Sequence, residues 1–138
     1  MKPLKIAKIN DPVLSVAFNH TGEILAIGTQ NGAIHTLSPV ASNGKRQIYM
    51  GRHVSGVTGL AFNSDSKELA SSGFDWSVQL SGFPLTEERP VTIESHELWV
   101  YGVLFTPGNK SLVSFSADKT LTVVSTQNED MTVNVLSA

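Results

Sequence analysis

The chain has 138 residues, enough for one ordinary domain and too few for two well-filled ones. It is 41% hydrophobic and 16% charged with a formal net charge of −2, so it reads as a globular protein without the basic surface that nucleic acid or anionic lipid would require. The absence of cysteine excludes a disulfide scaffold and a thiolate metal site and fits a reducing, cytoplasmic setting. No apolar run approaches the roughly 18 residues of a membrane span, and MKPLKIAKIN lacks the apolar core of a signal peptide.

In chain order, PLKIAKIN (3–10) reads as a strand, with Leu4, Ile6 and Ile9 as its apolar positions. VLSVAFNHTGEILAIGTQNGAIHTLS (13–38) follows, then the strand-like RQIYMGRH (46–53). In VTGLAFNSDSKELASSGFDWSVQLSG (57–82), an apolar stretch with Val57, Leu60 and Phe62 ends at the polar turn Asn63-Ser64-Asp65-Ser66. Leu69 and Ala70 open a second stretch, which ends at Gly73-Phe74-Asp75. In the third, Val78 and Leu80 alternate with polar residues, the period of a half-buried strand. RPVTIESH (89–96), VYGVLFTPGNKSLVSFSADKTLTVVS (100–125) and MTVNVLSA (131–138) complete the chain. The three long segments align without gaps at offsets of 44 and 43, matching Val13, Val57 and Val100; Phe18, Phe62 and Phe105; Leu25, Leu69 and Leu112; and Asn31, Asp75 and Asp118. No stretch sustains helical periodicity. Four short strands repeated at this period predict an all-β fold of propeller blades, three four-stranded antiparallel units at about 13–52, 57–95 and 100–138. Residues 1–10 supply an extra strand of the fourth type, so both termini offer a strand to complete the third unit.

The sequence resembles the WD40-repeat family over nearly its whole length. The resemblance rests on H-x3-V at His53–Val57 and His96–Val100, the V-x2-[LV]-x-F first strand, the polar hairpin turn, and SADKTL at Ser116–Leu121. It implies a ring of four-stranded blades around a channel. The Trp-Asp pair that names the family is absent: its positions hold Leu37-Ser38, Ser81-Gly82 and Val124-Ser125. The third unit, with TQNEDM after it, also resembles units in the arrays of large bacterial WD40 signalling proteins, which implies a sensor or scaffold with any enzymatic machinery elsewhere.

His53, Ser71 and Asp75 have the residue types of a hydrolytic triad. Their recurrence one unit later as His96, Ser114 and Asp118 favours structure, because a fold-stabilising network must repeat and a catalytic centre rarely does. No G-x-S-x-G elbow accompanies them. The family resemblance implies a His–Ser–Asp hydrogen-bond network tying the turn between second and third strands to the loop entering the first. The first unit, with Ile27 and Asn31 at these positions and no His, is expected to lack it. His20, in a hairpin turn, and His35, beside Ile34, are given surface or packing roles. No metal site and no cofactor are expected.

Phe74, Trp76, Trp99 and Tyr101 are large rings where turns and strand entries are usually small, and are candidate interaction residues; packing between blades is the alternative. Propellers typically have roughly 4 to 8 blades, so three units imply either a longer array or assembly with copies of the same chain. The reading is a non-catalytic scaffold for protein–protein interaction or self-assembly, in a homo-oligomer with the dimer ahead of the trimer, without nucleic-acid or membrane partners. The alternatives are a propeller hydrolase with a channel site and an excised or engineered fragment without its own ligand.

Overall fold

The computed structural model describes residues 7–39, 46–93, 96–126 and the strand backbone of Val133–Ser137. The first unit forms β1 (Val13–Phe18), β2 (Leu25–Thr29), β3 (Ile34–Leu37) and β4 (Arg46–Tyr49). The second forms β5 (Val57–Phe62), β6 (Glu68–Gly73), β7 (Val78–Gly82) and β8 (Val91–Ile93). The third forms β9 (Val100–Phe105), β10 (Ser111–Ser116), β11 (Thr120–Ser125) and β12 (Val133–Ser137), with one 3-10 turn at Pro107–Asn109. Each unit is an antiparallel meander in its own four-stranded sheet. The fourth strand of the third sheet is β12, which pairs with β11 from Thr120↔Ser137 to Val124↔Val133. Of the strand expected over residues 1–10, the first six lie outside the described residues, and Ala7–Asn10 carry no strand pairing.

The cores lie between the sheets. Ala26 and Ile34 of the first sheet meet Val57, Leu60 and Leu69 of the second, together with Leu85. Ala70, Val78, Leu80 and Ile93 on the other face of the second sheet meet Val100, Val103, Leu112 and Val124 of the third. The second sheet is therefore covered on both faces, which is why β6 reads LASS, apolar or small at successive positions, in place of a strict alternation. At roughly 1.5–3 kcal/mol for each large apolar side chain buried, these layers outweigh any single surface contact. Among the described residues, nothing gives the outer faces of the first and third sheets such cover. Val16 is 59% exposed where its aligned residue Leu60 is 8% exposed, and Phe18, Leu104, Phe115 and Leu121 are also exposed.

Two polar devices repeat with the strands. At the first hairpin of each unit the aligned residue takes a left-handed conformation, Gly22 (φ 75°), Ser66 (φ 59°) and Asn109 (φ 58°), the last preceded by a second such residue, Gly108 (φ 79°). The hairpin residue two positions earlier then donates its N–H across to the next sheet, His20 N–H to Ser66 Oγ at 2.9 Å and Ser64 N–H to Asn109 Oδ1 at 2.8 Å. Farther out, the loop after β7 is strapped to the first sheet. Tyr49 donates its hydroxyl to the Leu85 carbonyl at 3.1 Å, and Arg52, buried, donates to the carbonyls of Thr86 and Glu88.

Candidate functional site

The second sheet carries the fullest polar cluster. His53 arrives on the loop between β4 and β5, Ser71 lies on β6, and Asp75 sits in the β6–β7 turn. His53 Nε2 is 2.8 Å from Ser71 Oγ, and Nδ1 is 3.0 and 3.1 Å from the two Asp75 oxygens. An ionised carboxylate only accepts, so Nδ1 carries the proton that His53 donates to Asp75, and Nε2 completes the bridge to the Ser71 hydroxyl. Asp75 also accepts the Val54 N–H at 2.9 Å, the Ser77 N–H at 3.1 Å and the Ser77 hydroxyl at 2.7 Å. The carboxylate thus ties the entering loop, through His53 and Val54, to its own turn.

The third sheet repeats the arrangement. His96 Nε2 is 2.7 Å from Ser114 Oγ, and Nδ1 is 3.1 Å from Asp118 Oδ2. Asp118 accepts the Glu97 N–H at 3.0 Å, the Thr120 N–H at 2.9 Å and the Thr120 hydroxyl at 2.5 Å. Ser77 and Thr120 are members that sequence reasoning missed. They close each cluster with a hydroxyl two residues after the aspartate, a spacing readable as Asp-x-Ser/Thr.

In the first sheet the His-containing network is absent, yet its turn is not bare. Asn31 Oδ1 accepts the Thr29 hydroxyl at 2.7 Å and the Ala33 N–H at 3.1 Å, and Asp11 accepts the Asn31 N–H at 2.8 Å. The Asn31 side chain thus does for its turn what Asp75 does for its own, while the tie to the incoming loop runs through Asp11 to the Asn31 N–H.

Burial pulls the pKa of both aspartates upward, and their hydrogen bonds outweigh that pull. Desolvation raises the Asp75 pKa, but hydrogen bonds and charge from His53, with Ser77 and the Val54 N–H, outweigh it and hold the carboxyl well below the ordinary range. For Asp118, desolvation is likewise overcome, by Thr120, the Glu97 N–H and His96. His35, buried on β3, is pushed below its usual pKa by desolvation and by Arg46, against an opposing pull from Asp11.

The Ser–His–Asp distances alone match those of a hydrolase, so accessibility has to separate the readings. Ser71 and Ser114 are each 3% exposed, and a hydroxyl buried in this way cannot meet a substrate carbonyl. The arrangement is suited to holding a loop to a turn.

The four candidate interaction rings divide into two places. Phe74 and Trp99 meet edge to face with centroids 5.4 Å apart, and Tyr101 is exposed two residues along from Trp99. Leu14, which the sequence did not single out, joins them. A Cβ on Gly56 would lie 2.6 Å from Leu14 and 3.0 Å from Phe74, so the glycine leaves room for both. Trp76 instead lines a cleft with Asp75, Ser77, Thr92 and His96.

Four-stranded meanders stacked face to face, with the second turn of the second and third sheets clipped to the loop that enters each, define a partial β-propeller. The chain belongs to the WD40 family: the repeat described as WD domain, G-beta repeat matches residues 44–80 and 88–125, more than half of the sequence. It is 32% identical over 130 residues to Protein HIR1 of Cryptococcus neoformans var. neoformans serotype D (strain JEC21), covering 84% of this chain and 15% of that protein. It is 26% identical over 129 residues to COMPASS component SWD1 of Saccharomyces cerevisiae, covering 81% of this chain and 30% of that one. Among solved structures, the RRP9 WD40 repeats superpose with a TM-score of 0.84 at 20% identity, over 96% of this chain and 41% of that chain, a likeness of fold. The chain therefore spans a minor part of each relative.

Proposed function

We propose that this chain is a non-catalytic part of a WD40 propeller that binds another protein through the surface formed by Leu14, Phe74, Trp99 and Tyr101. The observation that carries the reading is the half-buried Phe74 meeting the exposed Trp99 edge to face, with exposed Tyr101 and Leu14 nearby, beside loops fixed by the His–Asp clips. Aromatic side chains concentrate binding energy in protein interfaces, and a rigid platform reduces the ordering cost of association. SWD1, a relative, is named as a component of a complex, in keeping with a protein partner. A hydrolase is disfavoured by the burial of both serines, and a cytoplasmic setting by composition remains part of the reading.

The uncovered outer faces favour a second contact, with further blades or with a second copy of this chain. The homo-oligomer, a dimer ahead of a trimer, is the self-assembling form of that reading. Immobilised wild-type chain and a Trp99→Ala, Tyr101→Ala variant are to be compared for proteins retained from cells of the source organism. The expected result is a specific set retained by the wild type and lost roughly tenfold or more in the variant, with melting unchanged. Equal retention would overturn the surface. Recovery of untagged chain on the tagged chain in the same experiment reports self-association; a chain that retains none of itself contradicts the oligomer.

A further inference from the structure

The three second turns share one backbone form but carry different residues at its left-handed position. Gly32, Trp76 and Lys119 occupy the same position, with φ of 89°, 71° and 72°, and each donates its N–H to the residue three before it, at 3.2, 3.3 and 3.2 Å. At the first turn the following loop closes tightly onto the glycine. His53 donates its N–H to the Gly32 carbonyl at 3.0 Å, and a Cβ on Gly32 would lie 2.0 Å from the His53 carbonyl oxygen. Trp76 has that Cβ, so the second turn cannot repeat the contact with the loop bearing His96. In its place is a cleft of about 270 Å3 lined by Asp75, Trp76, Ser77, Thr92 and His96.

The indole is not there for the turn's sake. A bulky residue at positive φ is disfavoured, and Trp76 remains 50% exposed. The cleft is smaller than the roughly 300–1,000 Å3 of drug-sized pockets, the scale of a single long side chain. Its chemistry selects the charge of that side chain. The indole face attracts cations. Asp75 contributes a carboxylate, and the hydroxyl-bearing Ser77 and Thr92 add polar atoms. Both ring nitrogens of His96 are occupied by Ser114, Asp118 and Thr120, and among the described residues no lysine or arginine lines the cleft.

We propose that the Trp76 cleft receives an arginine side chain of a protein partner, with its guanidinium stacked on the indole beside Asp75. The planar guanidinium combines stacking with hydrogen bonding more readily than an ammonium does. This deepens the scaffold reading and rests on it for the source of the arginine. The site itself is testable separately with acetyl-Gly-Arg-Gly-amide and its neutral citrulline counterpart, followed by NMR of the chain. The expected result is saturable movement of the Trp76 indole N–H and the Thr92 and His96 amides by the arginine peptide. The citrulline peptide should bind at least tenfold more weakly, and Trp76→Gly, which restores the residue of the first turn, should abolish the response while leaving the remaining spectrum in place. No saturable movement, equal response to citrulline, or undiminished binding by Trp76→Gly would each overturn the assignment. Trp76→Phe keeps a ring in the cleft and should retain binding, weakened, if stacking is the cause; complete loss there would count against stacking. Capture of proteins through Trp99 and Tyr101 is a different readout, so failure of the cleft and failure of the scaffold reading can be told apart.

Discussion

Asp75→Ala should lower the unfolding free energy by about 3 kcal/mol, and Asn31→Ala by about 1 kcal/mol. The difference follows from charge and burial. Asp75 accepts from the His53 imidazole, the Val54 N–H, and both the N–H and hydroxyl of Ser77. Hydrogen bonds to a charged group contribute roughly 1.5–3 kcal/mol each, but those sharing one acceptor do not add. Water can replace the carboxylate at Val54, which is exposed; it cannot readily do so at His53, which is buried with its Nδ1 aimed at the lost oxygen. Asn31 is neutral and exposed, and the Thr29 hydroxyl it accepts has a second acceptor in the Ala33 carbonyl at 3.2 Å. Chemical denaturation of the two variants checks the ranking. Equal losses would mean that the His53–Asp75 bond adds nothing to what a neutral turn residue provides.

Gly32→Ala should be at least as costly, about 3 kcal/mol or more, a fall in melting temperature of roughly 10 °C for a chain of this size. Two effects act together. The backbone is left-handed there, where alanine is strained. The added Cβ would also stand 2.0 Å from a backbone oxygen of His53, and a backbone atom cannot swing aside as a long side chain can. Relief requires parting the turn from the loop, which loses the His53 N–H to Gly32 carbonyl bond and disturbs the entry to the second sheet. Trp76→Ala, at the aligned position without that contact, should change stability by less than about 1 kcal/mol. Thermal melting of both variants is the check, and a Gly32→Ala loss below that same value would show that the loop yields easily.

The strand order was legible because the repeat compares the chain with itself. Aligned valines, phenylalanines and leucines fix three copies of one pattern, and copying errors in one unit are corrected by the others. The left-handed turns were harder to see. Gly22 and Gly32 are the residue that such a backbone favours and Asn109 accepts it readily, whereas Ser66, Trp76 and Lys119 adopt it under tertiary constraint. Histidine, serine and aspartate could be matched by position, whereas the closing hydroxyls of Ser77 and Thr120 needed turn chemistry as well. Asp11 acts from the loop that enters β1, Leu14 from β1 itself and Arg52 from the loop after β4, each on residues distant in sequence, and no local pattern announces such contacts. Trp76 could be placed at a turn from sequence, but its separation from Phe74 and Trp99 is a product of how consecutive sheets stack.

The stabilising charge of Asp75 and Asp118 is tested most directly by unfolding free energy measured against pH, for the wild type and an Asp75→Asn, Asp118→Asn double variant. Both aspartates have folded pKa values below the ordinary 3.8, so the unfolded chain binds their protons first as the solution is acidified. Their contribution is fully present above that value and is lost as pH falls from 3.8 toward the lower folded values. His35, lowered from 6.5, starts a separate loss as pH falls below 6.5, and Glu68, raised from 4.5 by burial and Asp65, acts in the opposite direction; both are common to the two chains. The expected result is a wild type that is more stable near neutrality and loses that advantage below pH 3.8, where the two curves converge. Curves that stay parallel through that range would contradict the clip.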